Sequence, residues 1–150
     1  MSIPSKNFRE GERVLGCLPV LLLLSGCGGP EPECAALDAR NQVVNIVSNN
    51  SNNALVDYAV KNSNAVAARM RDTNTEAEKS AILEKARQSA AYRLDETIST
   101  NSKSRARRTV TCSGLLYATV EDTTAQKQVD FTVQQTPDGG VSVSVSPFQF

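Results

Sequence analysis

Histidine, the side chain most often used as a general base at neutral pH, is absent from all 150 residues. Its absence removes Ser-His-Asp and Cys-His nucleophilic chemistry, and most zinc sites, in one step. Asp95 and Glu96 are the carboxylates worth weighing for sugar hydrolysis. They are chain neighbours that would point apart on a helix, so surface charge is the simpler reading. Lys103, Arg105, Arg107 and Arg108 form the one concentrated charge. Strand spacing would put 103, 105 and 107 on one side, where forked cations grip carboxylates or phosphates. The anionic contact could be an acidic protein, a lipid head group or the cell-wall polymer. A solvated hairpin tip that discourages edge pairing is the plainer account, and no aromatic residue interleaves the cations as a nucleic-acid platform would require. No glycine-rich phosphate loop occurs. These observations predict a chain without catalysis, metal or cofactor.

Sulfur is the other reactive element, and two of the four cysteines sit near the start. Lys6, Arg9 and Arg13 precede an apolar core from Val14 to Leu24, the layout of a secretory leader. That core is shorter than the roughly 20 residues a membrane span needs. It closes on Leu24-Ser25-Gly26-Cys27, which resembles the lipobox of bacterial lipoprotein precursors. The resemblance implies that the Cys27 thiol first receives a diacylglycerol, that the chain is then cut just before Cys27, and that the new amino group is acylated afterwards, with palmitate as a typical chain. Two or three such chains give lasting attachment, at about 0.8 kcal/mol per buried methylene. Gly28, where an Asp would signal retention in the inner membrane, resembles cargo sent to the periplasmic face of the outer membrane. The inner membrane and the cell surface stay open as alternatives. Gly28-Gly29-Pro30-Glu31-Pro32 makes a tether of a few residues. The expected organisation is therefore a signal peptide over 1–26, a lipidated tether over 27–32 and a single domain over 33–150.

Removing the leader takes away Cys17, and lipidation consumes Cys27, so Cys34 and Cys112 remain as one pair. Two thiols in an oxidising, exported compartment usually join. A reactive thiol or metal ligand is the weaker reading, since neither a histidine nor a C-x-x-C accompanies them. Charge gives no second clue: 16 Lys plus Arg balance 16 Asp plus Glu, which argues against a nucleic-acid partner.

The domain reads as helices followed by strands. Thr75 to Ile98 is the strongest helical pattern, with Ile82, Leu83, Ala86, Ala90, Leu94 and Ile98 at spacings of three and four and a Thr75/Glu78 capping box. Pro32 to Val47 predicts a first helix with Leu37, Val44 and Val47 on one stripe, although its β-branched run also suits a strand. The Ser48 to Asn53 stretch predicts a break and a new cap at Asn53. Ala54 to Val60 and Asn64 to Met70 predict short helices separated by Lys61-Asn62-Ser63. A first strand is expected near Thr97 to Ser102, with a hairpin at Ser102 to Ala106. Val110, Cys112, Gly114, Leu116, Ala118 and Val120 then alternate, as do Val129, Phe131 and Val133, and Val141, Val143 and Val145. Glu121 to Thr124 and Thr136-Pro137-Asp138-Gly139-Gly140 are the turns between them. Tyr58, Tyr92 and Tyr117 are expected in the core or at its rim, and Phe148 and Phe150 to close the core or dock elsewhere.

Helices followed by an antiparallel meander make an α+β domain, in which one long helix could lie in the concavity of a curved sheet. The order resembles cystatin-like and NTF2-like folds. The segments Val110 to Leu115, Val129 to Gln134 and Asp138 to Val143 are similar to small bacterial lipoproteins of that shape. The resemblance is structural and implies little about activity. The resulting expectation is a non-catalytic, membrane-anchored periplasmic binding lipoprotein that engages a protein partner, of inhibitor or immunity type. A structural accessory lipoprotein of an envelope or secretion assembly is the alternative.

Overall fold

The computed structural model describes residues 31–50 and 53–146. The leader, the lipobox with Cys27, Gly28 to Pro30, Ser51, Asn52 and the terminal aromatics Phe148 and Phe150 lie outside the described residues. Four helices, α1 (Leu37–Ser48), α2 (Ala54–Asn62), α3 (Asn64–Arg71) and α4 (Glu76–Gln88), precede four strands, β1 (Ala91–Ser104), β2 (Thr109–Val120), β3 (Thr123–Gln135) and β4 (Val141–Val145). The strands form one curved antiparallel sheet in the order β1-β2-β3-β4. The domain is α+β, with its helices ahead of its sheet.

The period-two pattern of β2 and β3 decides the core. Val110, Cys112, Leu116, Ala118 and Val120 from β2, and Ala125, Val129, Phe131 and Val133 from β3, are all buried. The α1 and α2 helices pack on this face, α1 against β1 and β4, and α2 against β2 and β3. The covering is thus shared by two short helices, not by one long one. The α4 helix lies outside them, against α2 and α3. The apolar stripe of α1 is Ala39, Val43 and Val47, a strict i, i+4, i+8 row. Leu37, expected on that stripe, is 67% exposed. It opens the helix on its outer side.

The largest departure from the sequence pattern is at α4. Half of its capping box forms: Thr75 Oγ1 accepts from the Glu78 amide at 3.3 Å, while the Glu78 carboxylate accepts from the Thr75 hydroxyl at 2.7 Å and not from a backbone amide. The helix nevertheless ends at Gln88, and Ala91 already belongs to β1. Leu94 and Ile98 recur four residues apart, and a spacing of four satisfies a strand's alternation as well as a helix's turn. Pairing with β2, whose whole length needs a partner on this side, settles the choice for strand. The register shifts between Leu94 and Ile98, a bulge of the kind found on edge strands. Gly114 sits opposite: a Cβ there would meet Leu94 Cδ1 at 3.2 Å and Ile98 Cγ1 at 3.5 Å. The missing side chain gives both apolar residues room.

Two caps stitch the helices to the sheet. Asn53, buried, accepts from the amides of Leu55 and Val56 and donates to Val47 O at 3.2 Å and Tyr92 Oη at 3.4 Å, joining the end of α1 to the start of α2 and to β1. Ser63 is the single residue between α2 and α3, where the sequence suggests a three-residue break. Its hydroxyl accepts from the Val66 amide at 3.1 Å and donates to Asp122 Oδ1 in the β2–β3 turn at 2.6 Å. Both of its bonds are made in a buried position. Ser63→Ala is expected to cost about 1 to 2 kcal/mol in urea unfolding; an unchanged midpoint would show that the cap contributes nothing.

Cys34 stands in the turn ahead of α1, and Cys112 on the buried face of β2. Their sulfurs are 2.14 Å apart, close enough to be bonded, and their Cα separation of 5.8 Å is in the usual range for a disulfide. The segment that enters the domain is thereby joined to its second strand.

Candidate functional site

Among the described residues, no three His, Cys, Asp or Glu side chains gather where they could hold a metal. The carboxylates singled out from the sequence lie on β1, not on a helix, at its bulge. Asp95 Oδ1 accepts from the amides of Glu96 at 2.6 Å and Thr97 at 3.3 Å, and Oδ2 from the Tyr117 hydroxyl at 3.2 Å. The Thr97 amide first, then Glu96, hold the Asp95 carboxyl below the ordinary carboxylate range. These bonds tie Asp95 to the backbone of the bulge.

Asp122 and Asp138 are held low in the same way, chiefly by the hydroxyls of Ser63 and Thr136. A carboxyl with a lowered folded pKa contributes stability that is complete above its unfolded value, about 3.9, and lost as pH falls through the folded value. Unfolding midpoints are therefore expected to hold steady from neutrality down to about pH 4 and to fall below it. Asp122→Asn should flatten that acid limb. A midpoint that declines already between pH 7 and 5 would contradict the assignment.

Three of the four cations, Lys103, Arg105 and Arg108, line one cleft, though not as a strand face, and Arg107 is not among its lining residues. Lys103 is in β1, paired with Val110, while Arg105, Arg107 and Arg108 belong to the turn that joins β1 to β2. The register corrects the side-by-side alternation read from the sequence, because the backbone turns at Arg105. Arg108 takes a positive φ of 49°, a conformation a four-residue hairpin turn uses to re-enter the ladder. Its carbonyl accepts from the Gln135 amide at 3.0 Å.

Below this tip is a cleft of about 230 Å³, lined by Pro32, Lys103, Arg105, Arg108, Val110 and Gln135. Apolar carbon makes its walls and cations its rim. Arg105 Nε approaches Glu31 Oε1 at 3.7 Å, both side chains largely exposed, and such a pair contributes little. Gln135 is 7% exposed and its Nε2 has no hydrogen-bond partner among the described residues. A buried amide left unpaired is costly enough to be uncommon. The alternation that buries Val129, Phe131 and Val133 also buries Gln135. That period-two parity is the signal in the sequence that turns Gln135 inward.

The second candidate surface is the sheet face that the helices leave open. Along it Asn101 donates to Ser113 and Ser113 to Asp130, each at 2.6 Å, Ser102 and Thr111 pair at 2.5 Å, and Thr119 and Thr124 at 2.9 Å. Leu115, 37% exposed, and Tyr117 are set among these groups, with the Arg93 guanidinium 4.2 Å over the Tyr117 ring. Tyr92 is partly buried, with its phenol pushed up by desolvation, and Tyr58 projects from α2. Among the described residues no helix is long and apolar enough to cross a membrane. Comparison with known proteins returns no family model, no curated protein and no solved structure that matches the chain.

Proposed function

We propose that the chain is a lipid-anchored binding protein without catalysis, attached through Cys27 at the periplasmic face of the outer membrane, and that it occupies a protein partner as an inhibitor or immunity factor would. The helix-then-meander order supports placing the domain with the cystatin-like and NTF2-like folds. The observation that carries the binding reading is the unlikeness of the two sheet faces. One is sealed by α1 and α2. The other stays open over β2 and β3, a rigid hydrogen-bonded polar ladder with Leu115 and Tyr117 at its centre. An apolar and aromatic centre with a polar surround is the usual anatomy of a recognition surface. The Cys34–Cys112 pair suits an exported, oxidising compartment.

Competition between a deletion strain and its effector-bearing siblings tests this reading. Deletion is expected to sensitise the cells. Full-length protein should restore protection, whereas Leu115→Asp, a change at an exposed position, should leave the fold intact and protection lost. Unaltered survival of the deletion strain would refute the immunity role. Co-purification with a large envelope complex would favour the assembly role.

A further inference from the structure

We propose that the basic tip of the β1–β2 hairpin, with the cleft beneath it, is a second membrane contact that receives the phosphate of an anionic phospholipid head group. The inference rests on the anchoring of the chain at Cys27. Its geometric ground is that the tether and the cations share one end of the domain. Glu31 and Pro32, the first described residues, form a wall of the same cleft as Lys103, Arg105 and Arg108. Glu31 stands four positions after Cys27, with three residues between them, a reach of at most about 14 Å. A lipidated Cys27 therefore holds this end, and not the β2–β3 turn at the far end of the sheet, close to the head groups. Basic groups held so near an anionic surface are drawn to it.

Chemistry agrees with placement. Arg105 and Arg108 carry the fork that matches a phosphate's oxygens, and Lys103 adds a point charge. Opposing charges at this end include Glu31, weakly paired with Arg105, exposed Glu33 in the same entry segment, and Asp138 of the neighbouring turn, whose carboxylate is taken up by the Thr136 hydroxyl. Gln135 supplies the independent sign. Its unpaired Nε2 lies in a side chain that lines the cleft, and its terminal torsion is broad, so a small turn presents that donor to an oxygen entering between the cations.

Hydrogen exchange on the intact, membrane-extracted protein tests this in nanodiscs of phosphatidylcholine alone and with phosphatidylglycerol added. Amides of residues 105–108 are expected to exchange roughly tenfold more slowly in the anionic discs, and to lose that protection near 1 M salt, where screening is within about 3 Å. Combining Lys103→Gln, Arg105→Gln and Arg108→Gly should abolish it; glycine at 108 suits the positive φ, so the fold is kept. Lys61→Gln with Arg71→Gln and Lys85→Gln removes the same charge elsewhere and should leave it intact. Gln135→Leu should weaken the protection without lowering the melting temperature in water. Equal exchange in the two discs, or equal loss in the control triple, would overturn the proposal. So would the same protection from inorganic phosphate in phosphatidylcholine discs, which would assign the site to a free anion. A chain that enters neither disc would instead refute the anchor, and this contact with it.

Discussion

Loss of the Cys34–Cys112 bridge is expected to remove about 4 to 5 kcal/mol from the unfolding free energy, the value the chain-entropy account assigns to a loop of this length. The two cysteines stand 78 residues apart in sequence, so the link closes a loop that spans all four helices, β1 and the basic hairpin. In the unfolded chain that closure forbids many conformations; in the folded one it holds the entry segment against β2, and the hydroxyl of Thr100 on the neighbouring strand β1 lies 3.3 Å from Cys34 Sγ. A small domain has about 5 to 15 kcal/mol in total. The Cys34→Ala/Cys112→Ala protein, and the native protein under reductant, should both unfold at much lower urea. Coincident curves with and without reductant would mean that the bridge is not formed or does not constrain the chain.

Phe131→Ala is expected to cost about 3 to 5 kcal/mol. Phe131 is the largest of the fully buried side chains among the described residues and projects from β3 into the core beneath the helices, so truncation leaves a cavity there that neighbouring valines, stiff at their first torsion, fill poorly. It is also the direct cross-strand partner of Cys112. The two losses should therefore not add, and a double-mutant cycle is expected to give a coupling of about 0.5 to 3 kcal/mol. Additive losses would show that bridge and ring stabilise separate parts of the domain.

What the sequence made legible follows from how many signals agreed at each place. Strands β2 and β3 could be read because every second residue from Val110 to Val120 and from Val129 to Val133 is apolar and turn residues bound them. The caps at Asn53 and Thr75 could be read because few side chains satisfy free amides. The α4–β1 junction could not: Ala90, Leu94 and Ile98 serve two periods at once, and only pairing with β2 distinguishes them. Leu37 misled because an apolar type does not specify a direction, and the row that faces the sheet begins at Ala39. The cleft joins Glu31, Lys103 and Gln135, residues far apart in the chain, and nothing local in the sequence indicates that they meet. The cations themselves were visible; their shared end with the tether is a property of topology.

Mass spectrometry of the protein recovered from cell membranes tests the central claim most directly. The account predicts a mature chain that begins at Cys27, carries thioether-linked diacylglycerol with an acylated amino group, and holds Cys34 and Cys112 two hydrogens lighter than their reduced form. A chain that retains Met1, or one that begins near Cys27 with a free thiol there, would contradict it.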